Sequence, residues 1–169
     1  MGGTISVTSE VGKGSTFVVE LPFEMGAAPA KSKKEEADKE NSIHGLNLML
    51  VEDNELNAEV AEILLEDEGA IITMVNDGQQ AVELFNNNPV GTFDAILMDI
   101  MMPVMDGLEA ARQIRTLNRK DTKEIPIIAM TANAFQDDIR DCIDAGMNAH
   151  IAKPIDSKKI EDTLQMVLK

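Results

Sequence analysis

One short apolar segment, followed by acidic and turn-forming residues, limits the fold of this chain more than any other feature. Residues 93–107 read FDAILMDIMMPVMDG, in which the apolar run 95–98 leads directly to Asp99. An apolar run of this length between turn formers is typical of a strand buried on both faces, as in a parallel sheet. Pro103 and Gly107 then force a loop. Asp99 is either an ordinary loop residue or a carboxylate at the carboxyl end of a central strand, where open α/β sheets bind ligands.

The composition supports a packed domain and argues against several kinds of partner. The chain has 169 residues, of which 44% are hydrophobic and only 3% aromatic, so aliphatic side chains must build the core. A formal net charge of −15 argues against nucleic acid or an anionic membrane as direct partner, because both bind cationic surfaces. The single cysteine, Cys142, excludes an internal disulfide and fits a reducing, cytoplasmic compartment. The sequence contains no apolar run that could span a bilayer, which leaves open a membrane anchor in a longer parent chain.

From residue 46 onward, the apolar pattern alternates between strands and helices. Strands are predicted over residues 46–51, 70–75, 93–98, 125–130 and 148–152. An amphipathic helix is predicted after each strand, so the crossovers require a doubly wound parallel sheet with helices on both faces. The strand order 2-1-3-4-5 is one of two common solutions, and spacing alone does not decide between them.

The helices carry apolar faces and capping residues. Three helices are predicted to begin after the capping residues Asp77, Asp106 and Asp156. The core-facing side of the first helix is predicted to consist of Leu56, Val60, Ile63 and Leu64. That of the fourth helix is predicted to consist of Phe135, Ile139, Cys142 and Ile143.

The first 45 residues do not continue this alternation. Residues 2–23 contain two alternating apolar segments separated by a Gly-Lys-Gly-Ser turn at 12–15, which predicts a β-hairpin. Because an isolated hairpin is marginal in water, we expect it to be disordered, or ordered only by docking on another surface or chain. Its unpaired edges make a homodimer through the hairpin one hypothesis. Residues 24–45 are rich in Ala, Lys and Glu and are predicted to be a flexible linker, in which His44 is an incidental solvated residue.

Polar residues follow four of the predicted strands at the same edge of the sheet. In chain order they are Glu52, Asp53, Asp99, Thr131, Lys153 and Pro154. Two carboxylates about 4 Å apart repel by roughly 4 kcal/mol at an effective dielectric near 20, so three of them need a cation. Oxygen ligands with open positions suit Mg²⁺. Asp99 can then attack a phosphoryl group as a nucleophile and form an acyl phosphate. Lys153 would supply a fixed positive charge, and Thr131 would supply a hydroxyl donor.

With all of these motifs in order, residues 46–169 resemble a receiver domain of two-component signalling. The resemblance implies the strand order 2-1-3-4-5, with Asp99 as the phosphoacceptor. The Mg²⁺ ligands that it implies are Glu52, Asp53, Asp99 and the backbone carbonyl of Met101. It further implies that the phosphoryl oxygens are bound by Thr131 and Lys153, and that a cis peptide bond precedes Pro154.

The resemblance also implies a switch and a docking surface. The family often has Tyr or Phe three residues before the lysine, as a rotamer switch, whereas this chain has His150. We expect His150 to act in that role with Thr131, and the alternative is an exposed strand residue. The phosphoryl donor would be a phosphohistidine on a kinase or a histidine phosphotransfer domain. The residues expected to line its docking surface are Asn54, Leu56, Asn57 and Pro154, although Leu56 is alternatively a core residue.

The N-terminal segment carries a resemblance of its own. GGTISVTSEVGKGSTFVVELPF, residues 2–23, resembles the last two strands of the ATP-binding domain of sensor histidine kinases. The other motifs of that domain are missing, so no kinase activity is expected from this polypeptide alone. Residues 1–23, a linker over 24–45 and a receiver domain over 46–169 are together similar to the junction of a hybrid sensor histidine kinase.

Two alternatives are weaker. A binding-only pseudo-receiver would lack the acidic pair, Asp99 or Lys153, and all of them are present. A phosphatase of the haloacid dehalogenase type also uses an aspartate nucleophile at a strand end. That family needs a second aspartate two residues later, where this chain has Met101.

Overall fold

The N-terminal segment of the protein forms an antiparallel hairpin in a computed structural model, which describes residues 2–22, 43–132 and 136–168. The hairpin consists of β1 (Thr4–Glu10) and β2 (Gly14–Glu20), as the sequence predicted. All residues of both strands are exposed, including the large apolar ones. The strands are thus formed, and the prediction that they depend on a covering surface stays a prediction. Residues 23–42, most of the predicted linker, lie outside the described residues.

The central sheet contains five parallel strands. They are β3 (Asn47–Val51), β4 (Ile71–Val75), β5 (Ala95–Asp99), β6 (Ile127–Thr131) and β7 (Ala149–Ala152). Their order across the sheet is β4-β3-β5-β6-β7, which confirms the predicted order 2-1-3-4-5. In this order the strands are added to the sheet first on one side of β3 and then on the other, so the loops that follow β3 and β5 run to opposite faces of the sheet and leave a crevice between them.

Five helices connect and cover the strands. They are α1 (Glu55–Asp67), α2 (Gly78–Asn87), α3 (Gly107–Thr116), α4 (Gln136–Asp144) and α5 (Ser157–Val167). The predicted caps Asp77, Asp106 and Asp156 each accept hydrogen bonds from backbone amides in the first turn of their helices. None of the helices in the described ranges is long and apolar enough to cross a membrane.

The core consists of two layers, one on each face of the sheet, because successive residues of a strand point to opposite faces. One layer joins Met49, Ile96 and Ile127 of the strands to α2, α3 and α4. The other joins alternate strand residues, such as Leu50 and Leu97, to α1 and α5. Ile43 is also buried in the second layer, although it lies within the range predicted to be a linker.

The prediction for the inner face of α1 is wrong. Its buried residues are Ala58, Ala61 and Leu65. Of the four residues predicted for this face, Leu56, Val60 and Ile63 are 68%, 46% and 52% exposed, and only Leu64 is half-buried. Both sets have helical spacing, and the small alanines allow the helix to lie close to the sheet. The sequence rule favoured the larger side chains, which the structure leaves on the surface.

The prediction for α4 is confirmed only in part. Cys142 is buried in the core, Ile139 is half-buried, and Ile143 is 62% exposed. The expected core residue Phe135 lies outside the described residues. Burial, reinforced by nearby Asp138 and Asp141, raises the pKa of the Cys142 thiol, as expected for an unreactive core cysteine.

Candidate metal and phosphoryl-transfer site

The predicted polar residues meet at the carboxyl edge of the sheet. Asp99 is the last residue of β5 and is 6% exposed, while Glu52 directly follows β3 and is 3% exposed. The backbone amide of Glu52 donates to the carbonyl oxygen of Val75 at 3.1 Å, which ties this residue to the end of β4. Thr131, 7% exposed, ends the neighbouring strand β6. The parallel register thus brings together residues from distant parts of the chain.

Three carboxylates form a group that fits a divalent cation. One carboxylate oxygen each from Glu52, Asp53 and Asp99 lies within 4.8 Å of the other two. Glu52 and Asp99 are buried, whereas Asp53 is exposed, so the group opens to solvent on one side. A set of hard oxygen donors with an open side is the environment in which Mg²⁺ keeps part of its water shell.

Lys153 is the cation that the protein itself places in this group. Its Nζ atom donates to Oε2 of Glu52 at 2.5 Å and to Oδ2 of Asp99 at 2.7 Å. Burial alone would lower the pKa of Lys153, but the hydrogen bonds and charges of Asp99 and Glu52 outweigh burial and raise it. Lys153 is therefore fully protonated at neutral pH. Three carboxylates against one ammonium leave two formal negative charges at the site.

Backbone geometry places Lys153 opposite the two buried carboxylates. The peptide bond between Lys153 and Pro154 is cis, as the family resemblance implied. The backbone amide of Lys153 donates to the carbonyl oxygen of Thr131 at 2.7 Å, one residue beyond the end of β7. The side chain can therefore extend across β6 to reach the end of β5.

The loop after Asp99 is built closely around this residue. The amide of Met101 donates to Oδ1 of Asp99 at 3.3 Å. Gly107 starts α3 so close to β5 that an added Cβ would lie 2.0 Å from the carbonyl oxygen of Asp99, so only glycine fits here. Val104 has φ +66°, a left-handed conformation that a β-branched residue adopts only under strain. Strained backbone next to a reactive residue is a common property of functional sites.

A groove next to the acidic group collects three of the four predicted docking residues. Leu56, Asn57 and Pro154 line a cavity of about 200 Å³, together with Glu52 and Lys153. Leu56 is 68% exposed, which excludes the core alternative for this residue. Asn54 has a different position: it is the N-cap of α1, and its side chain accepts from the amide of Asn57 at 3.1 Å.

The sequence reasoning missed a second bond of Asn57. Its side-chain Nδ2 atom donates to Oε1 of Glu52 at 2.9 Å. The spacing offered a signal, because Asn57 lies three residues after the cap Asn54, where a side chain can turn back past the start of the helix. Both oxygens of the Glu52 carboxylate therefore have protein donors, Asn57 on one side and Lys153 on the other.

His150 lies in the edge strand β7, paired with Ala129 of β6. It is half-buried rather than fully exposed, and it lines a cavity of about 270 Å³ with Cys142 and Met166. The partial burial fits a side chain that can move between inner and outer positions. Its role as a switch partner of Thr131 stays a prediction.

Sequence reasoning also missed a second charged cluster, which lies among the connections leading into β5 and β6. The Arg119 guanidinium pairs with Asp121 at 2.8 Å and donates to the carbonyl oxygens of Phe85, Asn88 and Pro89. It also lies 4.2 Å from the centre of the Phe85 ring. The hydrogen bond between the two raises the pKa of Arg119 and lowers that of Asp121, which burial alone would raise.

Comparison with known proteins shows which family this sequence is similar to. The family described as "Response regulator receiver domain" matches residues 48–165. The autoinducer 2 sensor kinase/phosphatase LuxQ of Vibrio vulnificus is 37% identical over 163 residues, which are 96% of this chain and 18% of that protein. The chain therefore spans less than a fifth of the length of this curated relative.

Solved structures of receiver domains have a similar fold. The receiver domain of the sensor histidine kinase PA1611 from Pseudomonas aeruginosa is 42% identical, with a TM-score of 0.66 over 73% of this chain and 98% of that one. That crystal structure has a magnesium ion in the active site cleft. A co-crystal structure of the Saccharomyces cerevisiae phosphotransfer protein Ypd1 and the receiver domain of Ssk1 matches at 26% identity, with a TM-score of 0.62 over 72% of this chain and 87% of that one.

Proposed function

Because the chain belongs to the response regulator receiver domain family, we propose that Asp99 accepts a phosphoryl group from phosphohistidine in a phosphorelay. The observation that carries this proposal is the position of Asp99, buried at the end of β5 with Lys153 at 2.7 Å. Both a nucleophilic carboxylate and a fixed positive charge are thus present at the edge where this fold binds ligands. The signal would leave the site as a conformational change, with Thr131 and His150 as its first elements.

The proposed reaction is a displacement at phosphorus. An oxygen of the Asp99 carboxylate attacks, the phosphorus–nitrogen bond of phosphohistidine breaks, and the electron pair remains on the imidazole nitrogen, which takes up a proton. The product is an acyl phosphate on Asp99. Lys153 and the Thr131 hydroxyl would bind phosphoryl oxygens, so the protein contributes mostly position and charge.

The metal in this proposal is Mg²⁺. The residues that would hold it are Glu52, Asp53, Asp99 and the backbone carbonyl of Met101. The close approach of three carboxylate oxygens supports the fit, as does the magnesium ion in the related PA1611 receiver domain. When bound, Mg²⁺ supplies positive charge that offsets the charge of the phosphoryl oxygens.

Acetyl phosphate provides a direct test because it needs no partner protein. The full chain is incubated with acetyl phosphate and Mg²⁺, and its intact mass is followed. We expect the gain of one phosphoryl group, which is lost in Asp99→Asn and in EDTA but kept in the control Asp162→Asn, an exposed position of α5. If the parent gains no mass and shows no conformational response to beryllofluoride, the site is a binding-only pseudo-receiver and the proposal is wrong.

The surface of α1 supports a protein donor that docks beside the site. Leu56, Val60 and Ile63 form an exposed apolar stripe that begins at the groove. One flank of the helix carries a row of glutamates at helical spacing, namely Glu55, Glu59, Glu62 and Glu66. A phosphohistidine-bearing kinase or phosphotransfer domain with an apolar contact face and a basic rim would complement this surface.

A variant at Leu56 can distinguish an effect on docking of the donor protein from an effect on the phosphoryl-transfer reaction itself. Leu56→Ser should slow phosphotransfer from a phosphohistidine protein at least tenfold, because it removes the apolar contact without adding a charge beside the carboxylates. The same variant should react with acetyl phosphate at the parental rate, since Leu56 makes no bond to the acidic group. Equal slowing with both donors would mean that Leu56 supports the site itself and is not a docking residue.

For the hairpin, we propose that an additional part of a longer hybrid kinase covers its apolar face, in a cytoplasmic setting. This face contains Ile5, Val7, Phe17 and Val19, which the pairing register places on one side of the two strands. A homodimer through the hairpin is the alternative. Light scattering of the chain with and without residues 1–42, a truncation that keeps the buried Ile43, distinguishes them, because a hairpin dimer would become monomeric on truncation.

A further inference from the structure

The side chain of Asn57 connects the first turn of α1 to the acidic group. Asn57 donates from Nδ2 to Oε1 of Glu52 at 2.9 Å, and its own backbone amide is bound by the cap Asn54. The helix start is thus anchored from both sides: the cap holds the backbone of Asn57, and the side chain of Asn57 holds Glu52. No other bond to Glu52 Oε1 is found among the described residues.

Glu52 needs such an anchor more than the other two carboxylates. Its side chain is longer than that of aspartate, with one more rotatable bond, so it loses more conformational freedom when it is held in one orientation. Lys153 binds the opposite oxygen, Oε2, but also binds Asp99. Without Asn57, only the bond from Lys153 to Oε2 would hold the carboxylate of Glu52, and the carboxylate could rotate about that bond.

We propose that Asn57 is a positioning residue of the metal site, whose side-chain amide holds the Glu52 carboxylate in the orientation that serves bound Mg²⁺. This inference rests on the proposed function of the site. It assigns Asn57 a role in the free receiver domain, in addition to its place in the docking groove. Groups that orient metal ligands typically change metal affinity by about 10- to 100-fold when they are removed.

A thermodynamic cycle tests whether Asn57 acts through Glu52. Mg²⁺ affinity is measured for the full chain as parent, Asn57→Ala, Glu52→Gln and the double variant, by calorimetry or, for a weak site, by NMR titration. We expect Asn57→Ala to weaken Mg²⁺ binding about tenfold, at the low end of the range above, because Lys153 still holds one oxygen. In the Glu52→Gln background, the same change should weaken binding by a smaller factor, because a neutral amide oxygen contributes less to Mg²⁺ binding than a carboxylate does.

Two controls separate positioning from loss of structure. Asn86→Ala removes an exposed asparagine from helix α2 and should leave Mg²⁺ affinity unchanged. Alanine is a good helix former, so Asn57→Ala should keep the parental circular dichroism spectrum and a cooperative unfolding transition, even though the bond to Glu52 is lost. Asn57→Gln, which keeps the amide on a longer stem, should recover part of the lost affinity.

The outcomes distinguish this inference from the proposed function. If the parent binds Mg²⁺ and gains a phosphoryl group, but Asn57→Ala binds Mg²⁺ equally well, the positioning role is wrong and the receiver function stands. Equal weakening in both backgrounds would also overturn it, since Asn57 would then act independently of Glu52. If the parent itself does not bind Mg²⁺, the proposed metal site is wrong and the inference falls with it.

Discussion

Two charged clusters of this domain differ in how well their charges are balanced. Arg119 faces one carboxylate, Asp121, and donates its remaining hydrogen bonds to backbone carbonyls. Lys153 pairs with two buried carboxylates, Glu52 and Asp99, and the exposed Asp53 adds a third carboxylate beside them. The first cluster is complete, whereas the second is left with excess negative charge and a cation-binding capacity. We therefore expect the first cluster to stabilise the fold, and the second to retain an electrostatic repulsion that a bound cation would relieve.

The largest expected effect comes from breaking the balanced cluster. Arg119→Met removes the partner of Asp121 and of three carbonyl oxygens, so we expect a loss of about 3 kcal/mol of unfolding free energy. Mg²⁺ affinity should change less than twofold because the two clusters share no residue. Urea unfolding and a Mg²⁺ titration measure the two quantities.

A surface arginine provides the matched control. Arg112 makes only an exposed ion pair with Glu109 at 3.7 Å, so Arg112→Met should change stability by less than about 0.5 kcal/mol. If Arg119→Met were equally mild, the Arg119 cluster would not be a stabilising element and the comparison would fail.

A smaller effect should come from relieving the backbone strain at Val104, which lies beside the Lys153 cluster. Val104, 80% exposed with φ +66°, follows Asp99 in the loop of the site. Asparagine tolerates this conformation better than valine, so Val104→Asn should raise the unfolding free energy by about 1 kcal/mol. Thermal and urea unfolding would show the gain, with Val90→Asn, an exposed valine of negative φ, as a neutral control. A loss of stability in Val104→Asn would mean that this conformation is not strained.

Reducing the charge imbalance should have opposite effects on stability and binding. Asp53→Asn removes the exposed carboxylate of the acidic group, so the protein without Mg²⁺ should gain about 0.5 kcal/mol of unfolding free energy. Mg²⁺ affinity should fall at least tenfold, because a charged ligand is lost. Parallel unfolding experiments with and without Mg²⁺ measure both changes. Lower stability without Mg²⁺ would show that Asp53 is not repelled by its neighbours.

The smallest expected difference between the two clusters is in how each contributes to the pH dependence of the unfolding free energy. The Asp121 pKa is lowered in the folded protein, so its contribution is present above the unfolded value of about 3.9 and is lost as pH falls through the folded value. The acid limb of the stability curve should therefore be shallower in Asp121→Asn than in the parent. Urea unfolding between about pH 6 and pH 3 tests this expectation, and identical slopes would contradict it. The raised pKa of Lys153 has the opposite sign, so its contribution is lost only as pH rises through the folded value.

Much of the fold and of the site was predictable from local pattern. Apolar runs that end in polar residues indicated the strands, so Glu52, Asp99, Thr131 and Lys153 were expected at one edge of the sheet. The inner face of α1 was not predictable, because the helix has two apolar faces of equal spacing. Which face is buried depends on how closely the helix approaches the sheet. The helical spacing of apolar residues carries no information about that distance.

The bonds of Arg119 and Asn57 were missed for a related reason. Arg119 binds carbonyl oxygens of residues about 30 positions earlier in the chain, and every residue type offers the same carbonyl. No sequence pattern distinguishes those partners. The position of Asn57 beside Leu56 predicts a docking residue, and the second role that we propose for Asn57 rests on its three-dimensional contact with Glu52.

The sequence by itself determined which residues end the strands, which residues cap the helices and which chemical groups the site contains, because these depend on neighbours along the chain. Tertiary structure alone decided which side of α1 is buried, how Lys153 is shared between Glu52 and Asp99, and that Gly107 must lie against the Asp99 carbonyl. Those properties depend on distances between segments far apart in sequence. The packing of helices on the sheet sets these distances.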